Sequence, residues 1–393
     1  MVRTVIDLFC GAGGLSEGFR QAGFSVLAGN DFNEYAGETF EASHDGAKFL
    51  RGPIEDISVG DFLDATGLQV GDLDCLIGGP PCQAFSVYNH QRGLHDKRSD
   101  LFKEYLRCVE GLRPKWVVME NVTGITSAGG GQAVREILRR LNLLGYEVET
   151  RILRAEEYGV PQERRRMFFV GNRLGLPILW PYATHGPGKL PFVTVKEALS
   201  DLPELANGED PGIQMYRTHA LSKYQSKLRG KSNLVHNHAA PRLAQINLER
   251  MKHIRQGGSW RDVPVDLLPQ GMKRARRCDH TKRYGRLHPD GLSSTVLTKC
   301  DIHWGAFIHP EQDRSLTVRE AARLQSFPDW FVFAGPRTEQ FVQVGNAVPP
   351  LVGAKIAEAV MEAADSQIGY SPSANTKEGL NKARFSAWSG SSP

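Results

Sequence analysis

The segment that decides the fold lies near the start of the chain, where residues 5–18 read VIDLFCGAGGLSEG. An apolar run typical of a buried strand leads into glycines, and a helical pattern begins at Leu15. In α/β sheets, this strand–glycine–helix arrangement holds a nucleotide-type cofactor at the carboxyl end of the strand. A plain tight turn would also need glycines, so the motif alone leaves both interpretations open.

The glycine spacing argues against two common nucleotide-binding loops. Gly18 comes too late for the dinucleotide motif G-x-G-x-x-G, which disfavours a dinucleotide oxidoreductase. No Lys-Ser or Lys-Thr follows the glycines, and at 230–232 (Gly-Lys-Ser) the first glycine of a phosphate loop is replaced by Gln225. Asp31 and Phe32 follow the next predicted strand, where an acid can accept hydrogen bonds from ribose and an aromatic ring can stack on adenine.

Strand and helix patterns alternate through the first half of the chain, which predicts an α/β fold with a mostly parallel, helix-covered sheet. From about residue 186, Pro and Gly interrupt the pattern often, and helical spacing returns only after Leu316. The tail from about Ser366 is rich in Ser, Gly and Asn, which predicts disorder. Further strands are predicted at 24–28, 75–77, 116–119 and 167–170, and helices at 15–22, 134–144, 317–325 and 350–364.

Length and composition are those of a globular protein with two or three domains. The chain has 393 residues, of which 40% are hydrophobic and 23% charged. It contains no run of ~18 apolar residues and no signal-peptide pattern, so we expect a soluble intracellular protein. Its 6 cysteines are widely spaced, which does not favour a disulfide scaffold.

The net charge of +4 conceals a strong asymmetry. Residues 217–299 contain 18 Lys and Arg against 5 Asp and Glu, whereas the rest of the chain is acidic. Such a basic segment is typical of contact with a polyanion, although a merely solvated basic face would look the same. The basic residues crowd most densely at Arg274, Arg276, Arg277, Lys282, Arg283 and Arg286.

Three polar motifs lie at or near the ends of predicted strands. Cys82, in the motif Pro-Pro-Cys-Gln, stands in a loop after the third strand and is a candidate nucleophile, since such loops carry α/β active sites. Glu120 ends the fourth strand on the same rim. Alternation in an extended run puts Gln162, Arg164 and Arg166 on one face, which we expect to line a polar site.

Taken together, these motifs resemble the DNA cytosine-5 methyltransferases. The resemblance covers roughly residues 4–171 and 286–362, and the motifs stand in the order of that family. They are Phe9–Gly14 (FCGAGG), Pro80–Cys82 (PPC), Glu120–Val122 (ENV), Gln162-x-Arg164-x-Arg166, Arg319–Pro328 (REAARLQSFP) and Gln343–Pro350 (QVGNAVPP).

The resemblance implies a Rossmann-like, S-adenosylmethionine-dependent methyltransferase domain with a smaller irregular target-recognition domain. It places the catalytic domain at 1–185 and target recognition at 186–335. Residues 336–365 would return to the catalytic domain, and 366–393 would form the disordered tail. Arg319 and Arg323 would form ion pairs that brace the recognition domain, although their spacing also suits ordinary surface pairs.

The implied reaction is transfer of a methyl group to C5 of a flipped-out cytosine in a specific duplex sequence. Cys82 would add to C6, and Glu120, with a raised pKa, would protonate N3. Arg166 would contact O2, and Arg164 would orient Glu120 or a phosphate. S-adenosylmethionine would contact Phe9, Gly11, Gly13, Gly14, Leu15, Asp31, Phe32, Asp56, Ile57, Pro80 and Asn346. DNA would contact Arg274, Arg276, Arg277, Lys282 and Arg283.

The expected partner is double-stranded DNA, and we expect a cytoplasmic monomer in a bacterial or phage-infected cell. The enzyme would protect DNA from a cognate restriction endonuclease, with an orphan role as the alternative. Two rivals share the motifs: a tRNA cytosine-5 methyltransferase and a catalytically silent DNA-binding homologue. No metal is expected, since the Cys278-x-His280 spacing is tighter than in usual zinc sites, although Cys300 and His303 would complete four ligands.

Overall fold

The computed structural model describes residues 3–81 and 101–366, and its centre is a seven-stranded sheet in the order β3-β2-β1-β4-β5-β7-β6. The first five of these strands run parallel, and β7 is antiparallel to both of its neighbours. The predicted α/β class is therefore confirmed. The strands are β1 (Arg3–Leu8), β2 (Phe24–Asp31), β3 (Lys48–Arg51), β4 (Cys75–Gly78), β5 (Trp116–Val122), β6 (Glu147–Arg154) and β7 (Arg165–Asn172).

Helices cover both faces of the sheet, and the last helix returns to the first. A Cβ on Gly18 would lie only 2.6 Å from the carbonyl oxygen of Pro350, so glycine there allows the first and last helices to pack backbone against backbone. The helices are α1 (Gly14–Gln21), α2 (Glu34–Ser43), α3 (Val59–Thr66), α4 (Leu101–Leu112), α5 (Gln132–Leu143), α6 (Val195–Leu199), α7 (Lys223–Arg229), α8 (Gln245–Lys252), α9 (Val318–Leu324), α10 (Arg337–Asn346) and α11 (Pro350–Asp365). Within the described ranges, no helix has the length and apolar character needed to cross a bilayer.

Two strands of the seven-stranded sheet were not predicted from the sequence, and both lie at its edges. β3 is four residues long, and β6 is mostly polar with only Leu153 fully buried. An edge strand is covered on fewer sides than a central one, so it lacks the continuous apolar run that reveals β4 and β5. The predicted disordered tail at 366–393 lies outside the described residues beyond Ser366.

The region from 186 to 335 has little regular structure of its own. Its only described sheet pairs two short strands, β8 (Gln214–Met215) and β9 (Leu234–Val235). A separate apolar cluster nevertheless forms between residues 251 and 308 and includes Trp260, Tyr284 and Ile302. This cluster gives the most basic part of the chain a core to which its loops are anchored.

A buried ion network joins α9 to other segments of this region. Arg323 pairs with Asp201 and, at 2.8 Å, with Asp329, and all three side chains are fully buried. Arg319 is equally buried and donates to the carbonyl oxygen of Pro328. Arg319 and Arg323 are thus structural ion-pair residues, as the family resemblance implies, and the surface-pair interpretation is wrong.

We predict that Arg323→Met lowers the free energy of unfolding by about 3–5 kcal/mol, because it leaves Asp201 and Asp329 buried without their main counter-ion. Chemical denaturation monitored by circular dichroism measures the loss. Arg139→Met, which removes an exposed partner of Glu136, is the matched control and should change stability little. Equal stability of the two variants would contradict the structural role of the network.

Asp7 is another buried acid, near the end of β1. Its side chain accepts a 2.6 Å hydrogen bond from the Ser16 hydroxyl and is 1% exposed. Burial raises the pKa of Asp7 to about 7, and the Ser16 hydrogen bond opposes this shift. The folded protein therefore binds the Asp7 proton more tightly than the unfolded chain does.

We predict that the stability contribution of protonated Asp7 is present near pH 4 and is lost as the pH rises through about 7, because ionisation is disfavoured only in the folded state. The unfolding free energy of the wild type minus that of Asp7→Asn should therefore fall across this window. Asp61→Asn is the control, since Ser58 lowers the pKa of Asp61 and moves its titration below the window. A pH-independent difference for Asp7→Asn would contradict the prediction.

Candidate active site

The polar motifs meet at one edge of the sheet because their strands are neighbours. β1 pairs with β2 on one side and with β4 on the other, and β4 pairs with β5, all parallel. The register aligns Leu8 with Gly78, and Gly78 with Met119. The segments that follow these residues therefore leave the sheet side by side, at the position where α/β folds bind ligands.

The glycine turn after β1 is packed too tightly for side chains. Gly13 has a φ of +90°, and a Cβ there would lie 2.5 Å from Cε1 of His44. A Cβ on Gly14 would lie 2.6 Å from the carbonyl oxygen of Val348, which belongs to the segment joining α10 to α11. The glycines therefore bring the start of α1 against both α2 and this late segment.

Asp31 closes the turn from the neighbouring strand. Its carboxylate accepts hydrogen bonds from the backbone nitrogens of Gly11, at 2.9 Å, and of Asn33, at 3.0 Å. Burial raises the pKa of Asp31, while these bonds favour its charged form. The next residue, Phe32, is 71% exposed, and the space beside Gly11 is open. An open turn flanked by an acid and an uncovered ring suits a ligand with a ribose and a flat base.

The other predicted cofactor residues are in varied environments. Leu15 is buried in the core, and Asp56 is exposed in the short 3-10 turn Ile54–Asp56. Ile57 accepts a hydrogen bond from Arg107 through its carbonyl oxygen. Asn346 is exposed as the last residue of α10. Phe9 lies in the turn itself with a φ of +56°, and the carbonyl oxygen of Pro80 accepts a bond from Asn121.

Glu120 is held by Arg166 across the β5–β7 pair. Arg166 Nε lies 2.7 Å from Glu120 Oε1, and their side chains are only 18% and 10% exposed. Burial raises the pKa of Glu120, and the positive charges of Arg166 and Arg164 oppose this shift. The predicted direction is therefore confirmed. A Cβ on Gly79 would lie 3.0 Å from Glu120 Oε2, so the loop that leads to Cys82 starts beside this carboxyl.

Arg164 has a different environment from the one expected. Its guanidinium donates to the carbonyl oxygens of Val296 at 3.2 Å, Gly345 at 2.9 Å and Ala347 at 2.9 Å. It is 1% exposed and contributes to the electrostatics of Glu120 without a hydrogen bond to it. Arg166 makes the direct contact to Glu120, and Arg164 joins three distant segments.

The prediction that Gln162, Arg164 and Arg166 share one face that lines a polar site is wrong for Gln162 and Arg164, which are buried against backbone groups. β7 begins only at Arg165, and Gln162 is fully buried before it. Gln162 donates to the Leu324 carbonyl oxygen and accepts from the Val296 nitrogen. Buried polar side chains are tolerated here because backbone groups satisfy them.

The sequence did not predict which residues surround Gln162 and Arg164. Gln325 accepts from Gln162 and donates to the Val344 carbonyl oxygen. Gly345 packs so closely that a Cβ would lie 2.4 Å from the Leu297 carbonyl carbon. The residues in these contacts are 19 or more positions apart in the chain, so local spacing carries no signal for them.

The predicted DNA-binding residues separate into three kinds. Arg274 and Arg277 are exposed, with no carboxylate within ion-pair distance among the described residues. Arg276 pairs with Asp279 at 3.2 Å, and Lys282 lies 3.8 Å from Glu163. Arg283 stacks on Trp304, with the guanidinium carbon 4.9 Å from the ring centroid.

Arg286 is part of the same basic run, but it is structural. It is 7% exposed, donates to the carbonyl oxygens of Met251, Ile254, His309 and Gln312, and pairs with Asp313. A dense basic run in the sequence therefore mixes surface charge with buried cations.

The residues considered for zinc lie in different environments. Cys300 is buried in the main core and contacts the Leu297 carbonyl oxygen, whereas Cys278 is exposed beside Asp279. His303 pairs with Asp301. Over residues 3–81 and 101–366, no three His, Cys, Asp or Glu side chains group as metal ligands. Cys82, the predicted nucleophile, lies outside the described residues.

Comparison with known proteins agrees with this geometry. A family model described as C-5 cytosine-specific DNA methylase matches residues 3–362. The Type II methyltransferase M.AgeI of Thalassovita gelatinovora is 35% identical and aligns with 90% of this chain and 98% of its own length. M1.HphI of Haemophilus parahaemolyticus is 36% identical, over 92% of this chain and 87% of its own.

Solved structures show the same architecture. A DNA modification methyltransferase encoded within an E. coli prophage has a TM-score of 0.75 and 26% identity, covering 92% of this chain and 99% of its own. Spodoptera frugiperda DNMT2, at 15% identity and a TM-score of 0.58 over 91% of this chain and 99% of its own, shares the fold. With the glycine turn, the Glu120–Arg166 pair and a family match over nearly its whole length, the chain belongs to the C-5 cytosine-specific DNA methylases.

Proposed function

We propose that this DNA cytosine-5 methyltransferase acts through a transient covalent bond between Cys82 and C6 of a cytosine flipped out of a specific duplex sequence. The observation that carries the proposal is the buried Glu120–Arg166 pair beside Gly79, three residues before Cys82. This pair offers a proton and a positive charge where the loop that bears the thiol begins.

The proposed methyl donor is S-adenosylmethionine, which supplies an electrophilic methyl group when it is bound. The residues present fit it. Asp31 has a half-buried carboxylate for the ribose hydroxyls, and Phe32 has an uncovered ring for the adenine. The open side of Gly11 allows close approach to the backbone. Asn346, Asp56 and the other predicted cofactor residues complete this assignment.

The Cys82 thiolate adds to C6 and pushes an electron pair of the ring toward N3 and O2. Protonated Glu120 donates its proton to N3, and Arg166 donates a hydrogen bond to O2, so the negative charge does not accumulate. C5 becomes nucleophilic and accepts the methyl group. The C5 proton then leaves to water, the C6–S bond breaks to restore the thiolate, and N3 returns its proton to Glu120.

The raised pKa of Glu120 suits this role because a carboxyl must be protonated near neutral pH to donate. The adjacent Arg166 limits the shift, which keeps the group able to release the proton as charge develops on the ring. Arg164 contributes by holding the segments around the site, and it adds a second buried positive charge.

A stacked cytosine is out of reach of such a site, so the base must leave the duplex. The exposed residues among the predicted set supply contacts to phosphates; they are Arg274, Arg276, Arg277 and Lys282. Relatives named as Type II methyltransferases support a role in a restriction-modification system, with a cognate endonuclease that need not bind this chain. The proposed setting is the cytoplasm, and the proposed assembly is a monomer.

We predict that the protein forms a denaturant-resistant adduct with duplex DNA containing 5-fluorocytosine, since fluorine at C5 blocks the elimination that releases Cys82. Electrophoresis under denaturing conditions, with the methyl donor supplied, measures the adduct. Cys82→Ser should abolish both adduct and turnover while binding the donor normally. The matched control is Cys278→Ser, at another cysteine of the chain, which should still form the adduct. Failure of the wild type to form the adduct would contradict the covalent route, and a preference for tRNA over DNA would favour the tRNA alternative.

We predict that Glu120→Gln lowers kcat by roughly 10²–10⁴-fold, because an amide cannot deliver a proton to N3. Steady-state methyl transfer to DNA at saturating substrate gives kcat, and calorimetry gives the donor affinity, which should stay near that of the wild type. Glu104→Gln, at a partly exposed acid on α4, serves as the control for loss of a carboxylate. A kcat near the wild-type value would remove Glu120 from the mechanism.

A further inference from the structure

The arginines of the basic segment differ in how firmly they are held. Arg274 and Arg277 are exposed and, in the described ranges, have neither an ion-pair partner nor an aromatic ring beneath them. Arg283, by contrast, lies over Trp304 with its guanidinium carbon 4.9 Å from the ring centroid. A cation that is free to move suits contact with a phosphate. A cation held in one orientation suits hydrogen bonds to the edge of a particular base.

The backbone of Arg283 is anchored to the small apolar core of this region. Its nitrogen donates to the His280 carbonyl oxygen, and its own carbonyl oxygen accepts from the Trp260 nitrogen at 3.1 Å. The following residue, Tyr284, is buried and donates from its nitrogen to the Ile302 carbonyl oxygen at 2.7 Å. Arg283 therefore projects from a fixed base rather than from a loose loop.

Stacking on Trp304 leaves the hydrogen-bonding capacity of Arg283 free. A cation–π contact uses none of the N–H donors of the guanidinium, so all of them stay available for hydrogen bonds. No carboxylate of the described residues lies within 4.0 Å of Arg283 to occupy these donors. Trp304 is itself 61% exposed, so the pair stands at the surface.

The pair lies near the start of the strand that carries Arg166. Lys282, the residue before Arg283, lies 3.8 Å from Glu163. The Glu163 carbonyl oxygen accepts a 2.7 Å hydrogen bond from the Thr295 hydroxyl, and the Glu163 backbone nitrogen donates to the Ser293 carbonyl oxygen. Since Glu163 is three residues before Arg166, DNA that presents a base to Glu120 and Arg166 would pass close to Arg283.

We propose that Arg283 reads a guanine of the recognition sequence through paired hydrogen bonds to O6 and N7, and that Trp304 is the positioning residue that orients it. Arg274 and Arg277 contact phosphates and do not discriminate between bases. The proposal rests on the proposed function, because it assigns the reader of the sequence that the enzyme methylates. Arginine paired to guanine in the major groove is the commonest specific contact between protein and DNA.

The test begins with the wild type on a library of duplex DNA, with methylated positions read by bisulfite sequencing. This defines the recognition sequence and the discrimination at each of its base pairs. Arg283→Gln should lower discrimination at one G·C pair by roughly tenfold to a hundredfold. The double variant Arg274→Gln/Arg277→Gln should weaken binding equally at all sequences and lower the salt slope of log Kd by about one per arginine.

Trp304 is tested by two substitutions and one matched control. Trp304→Ala should relax discrimination at the same base pair as Arg283→Gln, and Trp304→Phe should retain most of it because a ring remains. Trp330→Ala removes an equivalent stack, in which Arg20 lies 5.0 Å from the ring, and should leave discrimination unchanged. Circular dichroism confirms that each variant is folded.

The outcomes separate the two proposals. If the wild type methylates no cytosine in DNA, the proposed function fails. If the wild type is active but Arg283→Gln keeps its discrimination at every base pair and only weakens binding uniformly, Arg283 is a phosphate contact and this inference is overturned. If Trp304→Ala keeps full discrimination while Arg283→Gln loses it, the positioning role of Trp304 is overturned.

Discussion

A single buried guanidinium holds the site together. Arg164 donates to carbonyl oxygens at Val296, in the region 186–335, and at Gly345 and Ala347, just before α11. Burial and the neighbouring Arg166 lower the pKa of Arg164, and the negative charge of Glu120 opposes this shift. The carbonyl dipoles also compensate part of the desolvation cost. Because a buried cation tolerates few alternative arrangements, it fixes the position of these segments relative to β7.

The chemistry at Glu120 follows from a balance of two effects. Burial alone would keep the carboxyl protonated, and two neighbouring arginines favour its ionised form. Burial dominates, so the pKa rises, but the group remains paired and oriented by Arg166. The result is an acid positioned beside the loop of the proposed nucleophile, which neither an exposed nor an unpaired carboxyl would provide.

Charge in the rest of the chain serves two purposes that composition cannot separate. Four buried arginines hydrogen-bond to carbonyls and pair with acids, so they stabilise the region 186–335; they are Arg286, Arg314, Arg319 and Arg323. Arg274 and Arg277 remain at the surface and are available to a polyanion. Burial and partner geometry, which depend on the folded chain, distinguish the two groups.

The sequence by itself determined the α/β class, the central strands and the rim positions of Asp31 and Glu120, because these depend on local apolar runs and on residues that directly follow them. It also determined the family, since the motifs stand in a fixed order. Only the tertiary structure decided that Arg164 and Gln162 are buried and hydrogen-bond to distant backbone groups. The same holds for β3 and β6 at the edges of the sheet and for the contact between Trp304 and Arg283. Each of these depends on contacts between distant segments or on partial exposure at an edge, and neither leaves a periodic pattern along the chain.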